Sequence, residues 1–167
     1  MLENQQGGTQ TVKNKKSVAA LVVRKSFPHS RDRVFQAWTD PDAIRNWFYP
    51  SDRWTIDEVT MDLRVGGTYQ VKMTSDNGEK FVVEGIFQSV TPPERLIYTW
   101  KWPLEPELGE TRVTVDFKER ESRTELVLTH ELFSTQKARD EHEWGWNGCL
   151  KYFEKYLSSS HEPKARS

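Results

Sequence analysis

The chain has 167 residues, with 24 Lys and Arg against 25 Asp and Glu, seven Trp and one Cys. That length suits one domain, since domains usually run to about 100–150 residues, and the lone Cys149 excludes a disulfide framework or a Cys-based zinc site. Residues 18–157 hold 19 basic and 23 acidic groups, the wrong sign for nucleic acid or an anionic membrane as partner.

Residues 1–17 contain only Met1, Leu2 and Val12 as apolar groups. They cannot bury enough surface to offset chain entropy, so a disordered arm is expected, and Lys13, Lys15 and Lys16 read as a solubilising cluster. Residues 158–167 (SSSHEPKARS) read the same way. The folded body is expected over 18–157. No run approaches the roughly 18 apolar residues of a membrane span, and the N-terminus lacks an apolar signal region, so a soluble cytoplasmic protein is expected.

Within the body, VAALVVRKSF (18–27) is β-branched and predicts a strand. Ser30 is a candidate N-cap, with Val34, Ala37 and Trp38 at helical spacing behind it. Asp40-Pro41 repeats the signal as a capping carboxylate followed by a proline, and Ile44, Trp47 and Phe48 form the apolar side of a second short helix. Trp54 and Ile56 then alternate, and Val59, Met61, Leu63 and Val65 alternate in the opposite phase. That slip at Asp57-Glu58 predicts a β-bulge. Gly66-Gly67 marks a turn, and Asp76-Asn77-Gly78 a hairpin. Residues 80–91 carry apolar groups at both parities, up to Pro92-Pro93. Leu96, Tyr98, Trp100 and Trp102 alternate before the loop PLEPELG (103–109). Val113, Val115 and Phe117 lead to the charged turn ERESR, and Leu126, Leu128, His130 and Leu132 close the series. Trp146, Cys149, Leu150, Phe153 and Leu157 make one helical stripe, with Ser134 as candidate cap for its start or for a short lead-in turn. The order β-α-α-β6-α is an α+β fold with antiparallel strands.

This order resembles the START/SRPBCC superfamily, whose Bet v-like fold is the helix-grip. The AHSA-type family, related to the activator of the heat-shock protein 90 ATPase, is the part of it that the motifs match. The resemblance spans about 22–157 and rests on four stretches. They are VRKSFPHSRDRVFQAWTDPDAIRNWF, the Gly-Gly hairpin GGTYQVKM, GIFQSVTPPERLIYTW, and Gly145-Trp146 opening the last helix. It implies a curved antiparallel sheet around the C-terminal helix, with a cavity between them that often takes an apolar small molecule. It also implies a possible link to chaperones or the stress response. The separate N-terminal domain of the eukaryotic co-chaperones has no counterpart in these residues, so direct ATPase activation is not the expected role.

No catalytic signature is present: GxSxG, HExxH, a P-loop and GxGxxG are all missing. Glu141-His142-Glu143 has no ligand partner at i+4, and three adjacent helical residues point to different faces, so a solvated polar turn is expected and no metal or cofactor. His130 shares the inward parity of Leu126 and Leu128. It reads either as a structural histidine or as a polar anchor or acid/base in a cavity. Trp54, Tyr69, Trp100, Trp102 and Trp146 also sit at inward parities, as a dense core or as a lined pocket. Cys149 reads as a small buried hydrophobe.

The expected function is non-catalytic binding of an apolar, aromatic or polycyclic small molecule. Its candidate wall is Trp54, Tyr69, Met73 and Trp100 from the sheet, His130, and Trp146, Asn147 and Leu150 from the helix. The loop 103–109, with Glu105 and Glu107, is a candidate lip. A cyclase- or hydrolase-like enzyme using His130 is one alternative. A chaperone-associated interaction domain is the other, and sheet-edge pairing into a homodimer is open.

Overall fold

The structure, a computed structural model, describes residues 17–159. The readings placed on 1–16 and 160–167 lie outside them. In chain order the elements are β1 (Leu21–Phe27), α1 (Arg31–Thr39), α2 (Pro41–Ile44), β2 (Trp54–Met61), β3 (Thr68–Ser75), β4 (Lys80–Thr91), β5 (Arg95–Trp100), β6 (Thr111–Arg120), β7 (Arg123–Glu131) and α3 (Gln136–Ser158). A short 3₁₀ turn, Pro106–Leu108, interrupts the loop between β5 and β6.

The strands form one antiparallel sheet in the order β1-β7-β6-β5-β4-β3-β2. This is the helix-grip arrangement: a curved sheet around a long C-terminal helix. Strand β4 makes the corner. Its residues 80–86 pair with β3, and residues 87–91 pair with β5 after a register shift between Phe87 and Ser89. Gly85 sits where the two pairings hand over, and a Cβ there would come within 1.9 Å of the Thr99 carbonyl. Only glycine lets the two backbones approach that closely. The expected bulge in β2 is present as a shift between Ile56 and Glu58. The hairpin at Asp76-Asn77-Gly78 turns through Gly78 at φ +89°.

Local chemistry accounts for the helices. Ser30 Oγ accepts from Arg33 N (3.2 Å) and starts α1; Asp40 Oδ1 accepts from Asp42 N (3.0 Å) and starts α2. Each such cap contributes about 1 kcal/mol. Helix α3 starts one residue later than Ser134. Thr135 is the cap, accepting from Ala138 N at 3.1 Å. Gly145-Trp146 therefore lies mid-helix rather than at its opening. Leu132 also departs from its expected inward parity: its backbone is left-handed (φ +77°) and its side chain is exposed, so Phe133 takes the buried place.

The two halves of α3 are seated differently. At the C-terminal half, Phe153 meets Phe27, Trp38 and Trp47 edge-on, with centroids 4.7–5.3 Å apart. Arg33 Nη2 donates to the Leu157 carbonyl (2.9 Å), one of the helix-end acceptors that the helix cannot satisfy itself. Helices α1 and α2 fill this end. Further toward the N-terminus of α3, the glycines report the spacing. A Cβ on Gly148 would lie 2.1 Å from the Pro50 carbonyl, whereas one on Gly145 meets nothing within 4 Å.

That contrast predicts opposite signs for one substitution. Gly148→Ala should lower stability by about 1–3 kcal/mol through overpacking against a backbone that cannot yield. Gly145→Ala should raise it by up to about 1 kcal/mol, because alanine is the better helix former. Urea denaturation of the two variants checks both signs.

Candidate functional site

Between the N-terminal half of α3 and the β2–β5 part of the sheet lies a cavity of about 430 Å³. Its floor is buried: Phe48, Met73, Trp100, Trp146 and Cys149. Its sides and mouth are partly exposed and come from five segments. Tyr49 and Pro50 follow α2, and Trp54 and Phe81 come from β2 and β4. Trp102, Glu105 and Leu108 come from the loop after β5, and Glu141, His142 and Trp144 from α3. Trp54 and Phe81 meet edge-on at 4.4 Å, and Trp100 lies 5.1 Å from Trp146 and 5.7 Å from Trp102. Five of the seven Trp line this space, so its chemistry is aromatic.

Two hydrogen-bond chains hold the indoles of Trp146 and Trp102, while Trp100 Nε1 is buried without a partner among the described residues. In the first, Trp146 Nε1–H donates to His130 Nδ1 (3.0 Å), and His130 Nε2 lies 2.7 Å from Thr111 Oγ1, which donates to the Trp100 carbonyl (3.1 Å). An indole nitrogen can only donate. His130 Nδ1 must therefore be the acceptor and Nε2 must carry the proton. In the second chain, Trp102 Nε1–H donates to His142 Nε2 (2.9 Å), so the proton sits on Nδ1 and goes to the Ala138 carbonyl (2.7 Å). Both imidazoles are neutral. Burial first, and then the neighbouring His142, push His130 well below its usual range; burial lowers His142. Burial also pushes the Cys149 thiol far up, which keeps it protonated and a weak nucleophile.

The family profile for "Activator of Hsp90 ATPase homolog 1-like protein" matches residues 28–158. The chain belongs to this family. Among solved structures, this AHSA-type chain is similar to a protein from Chromobacterium violaceum (TM-score 0.77, 22% identity, covering 84% of this chain and 98% of that one). It is also similar to an AHSA1 protein from Silicibacter pomeroyi (TM-score 0.75, 21% identity, 86% and 100%) and to a protein from Nitrosomonas europaea (TM-score 0.70, 25% identity, 83% and 93%). No curated protein matches it.

Within the AHSA-type fold, the sequence-derived wall residues separate into two sets. Trp54, Met73, Trp100 and Trp146 line the cavity. The other four do not. Tyr69 instead borders a separate void of about 30 Å³ with Trp38 and Tyr98, and its hydroxyl donates to the Thr99 carbonyl (2.6 Å). Leu150 is buried away from the cavity, and Asn147 is exposed, because each helical residue turns about 100° from its neighbour and only some of Trp146's neighbours share its face. His130 is fully buried with both ring nitrogens occupied, so it lies behind Trp146 rather than on the wall.

His142, read from sequence as part of a solvated turn, is on the wall instead. Its signal was present as spacing. Ala138, His142, Trp146, Cys149 and Phe153 step by four, four, three and four, extending the apolar stripe two turns toward the N-terminus. Phe48, Phe81 and Trp144 were likewise not foreseen on the wall. No metal-holding group of His, Cys, Asp and Glu occurs among the described residues. No described helix is long and apolar enough to cross a membrane.

The neutral imidazoles set the sign of a pH effect. An unfolded histidine titrates near 6.5, and in the fold both pKa values are lower. Below pH 6.5 the unfolded chain therefore binds more protons, and stability present above that pH is lost as the pH falls. Each imidazole contributes a slope of up to about 1.4 kcal/mol per pH unit. His142→Gln, whose amide oxygen can still accept from Trp102, should make the slope below pH 6.5 shallower. Denaturant titrations from pH 6.5 to 5.5 provide the check, and an unchanged slope would contradict the depressed pKa of His142.

Proposed function

We propose that this AHSA-type protein binds an apolar, aromatic or polycyclic small molecule in the space beneath the N-terminal half of α3, without converting it chemically. The observation that carries this reading is the aromatic cavity itself. Its volume lies within the roughly 300–1,000 Å³ of small-molecule sites, and flat indole faces with a few polar groups suit an aromatic guest. The polar groups that reach it support binding rather than turnover. His142 has both nitrogens engaged, and Cys149 is held as a protonated thiol. The enzymatic alternative through His130 loses its geometry, because that ring does not border the cavity.

N-Phenyl-1-naphthylamine is a suitable neutral probe, because its emission rises on leaving water. Saturable binding with one site per chain is expected, together with quenching of tryptophan emission. At 100 times Kd the ligand should stabilise the fold by about 2.7 kcal/mol, raising Tm by roughly 5–10 °C for a chain of this size. Cys149→Phe, which fills the floor, should abolish the signal while keeping the helical and β circular dichroism. A folded protein that neither brightens the probe nor shifts in Tm would remove the proposal.

A further inference from the structure

The mouth of the cavity has a chemistry that its floor does not. Two of its lining residues are charged at neutral pH, and both are carboxylates: Glu105 from the loop after β5 and Glu141 from α3. The remaining ionisable groups on the wall are neutral there: His142, Cys149 and Tyr49, each shifted by burial away from its charged form. No Lys or Arg lines the cavity.

Glu105 is partly buried, and its acidity reports what surrounds it. Burial comes first and then the charges of Glu107, Glu141 and Glu79, all raising its pKa, with no cation offsetting them. Two carboxylates thus share one opening from two segments, the loop (Glu105) and α3 (Glu141), and the charges of Glu107 and Glu79 add to the field at Glu105. Glu141 has an ion-pair partner in Lys137, 4.0 Å away, with both side chains well out in solvent. A pair in that setting is screened and weak.

Beside these carboxylates stand the partly exposed indoles of Trp54, Trp102 and Trp144, and Trp144 keeps 61% of its surface in water. Indole faces are the strongest aromatic partners for an organic cation. A partly buried carboxylate, Glu105, strengthens that attraction, and both carboxylates repel anions.

We infer that the cavity selects an organic cation, an aromatic or polycyclic body carrying an ammonium group, with the rings on the indole floor and the charge at the Glu105–Glu141 rim. This rests on the small-molecule reading above and names the ligand class within it. The acidic excess of residues 18–157 works in the same direction by drawing cations toward the surface.

The test uses three probes of one shape: 2-naphthylmethylammonium, neutral 2-naphthylmethanol and anionic 2-naphthylacetate, titrated calorimetrically into the full chain at pH 7.5. The cation should bind about tenfold or more tighter than the alcohol, as expected for a charged partner in place of a neutral one, and the anion weakest. Raising salt from 50 to 500 mM should narrow that gap. Glu105→Gln and Glu141→Gln, both at a solvent-facing rim, should each weaken the ammonium probe several-fold more than the alcohol. If the alcohol binds as tightly as the cation, or the two variants weaken both probes equally, the charge selection is wrong while the small-molecule reading stands. If none of the three binds the folded protein, both fall.

Discussion

The buried indole N–H of Trp146 ends on an acceptor, whereas that of Trp100 has no partner among the described residues; a buried donor left without one costs about 1–3 kcal/mol. The acceptor for Trp146 is His130, and that one bond constrains much else. It requires a neutral ring with its proton on Nε2. That proton in turn needs Thr111, whose hydroxyl ends on the carbonyl of Trp100. The chain crosses from α3 through β7 and β6 to β5, so it fixes the rotation of the helix about its own axis. Once Trp146 is held, Ala138, Cys149, Leu150, Phe153 and Leu157 must face inward and Asn147 must face water. A protonated His130 would set two donors against each other, and no nearby anion in the chain would compensate. Burial, and then the neighbouring His142, hold its pKa well below the usual range, which agrees with the neutral ring that the hydrogen bonds require.

The same constraint explains why one end of the interior is filled and the other is hollow. Toward the C-terminus of α3, two short helices deliver Trp38 and Trp47 against Phe153, and the stack is closed. Toward the N-terminus the sheet turns its corner at β4 and no helix follows it inward. The space is bounded instead by a loop, whose Trp102 is tied to His142, and by the chain leaving α2. The other five tryptophans surround this space. A polar mean hydropathy of −0.79 alongside seven Trp is thus no contradiction. Outward strand faces are polar, and the indoles either plug one end or wall the other.

Much of the fold was legible because its determinants are local. Ser30 and Asp40 cap helices through atoms two or three residues away. Asn77-Gly78 turns a hairpin through a conformation that glycine adopts freely, and the parity slip at Asp57-Glu58 is a bulge wherever the strand lies. Inward strand parity placed Trp54, Met73 and Trp100 on the concave side, and the helical stripe placed Trp146 facing them, where all four line the cavity. Leu132 was misread because parity holds only while the strand continues, and its left-handed backbone ends the alternation.

The amino-acid sequence alone determined the element order, the apolar faces and the resemblance to the AHSA-type family, all of which follow from spacing along the chain. Only the tertiary structure decided that His130 supports the wall without joining it, that His142 and Trp144 belong to it, and that Glu105 and Glu141 share its mouth. Parity and helical period specify which side of an element a residue occupies. They do not specify how far apart two elements stand, and here that distance, closed at Phe153 and open at Gly145, separates core from cavity.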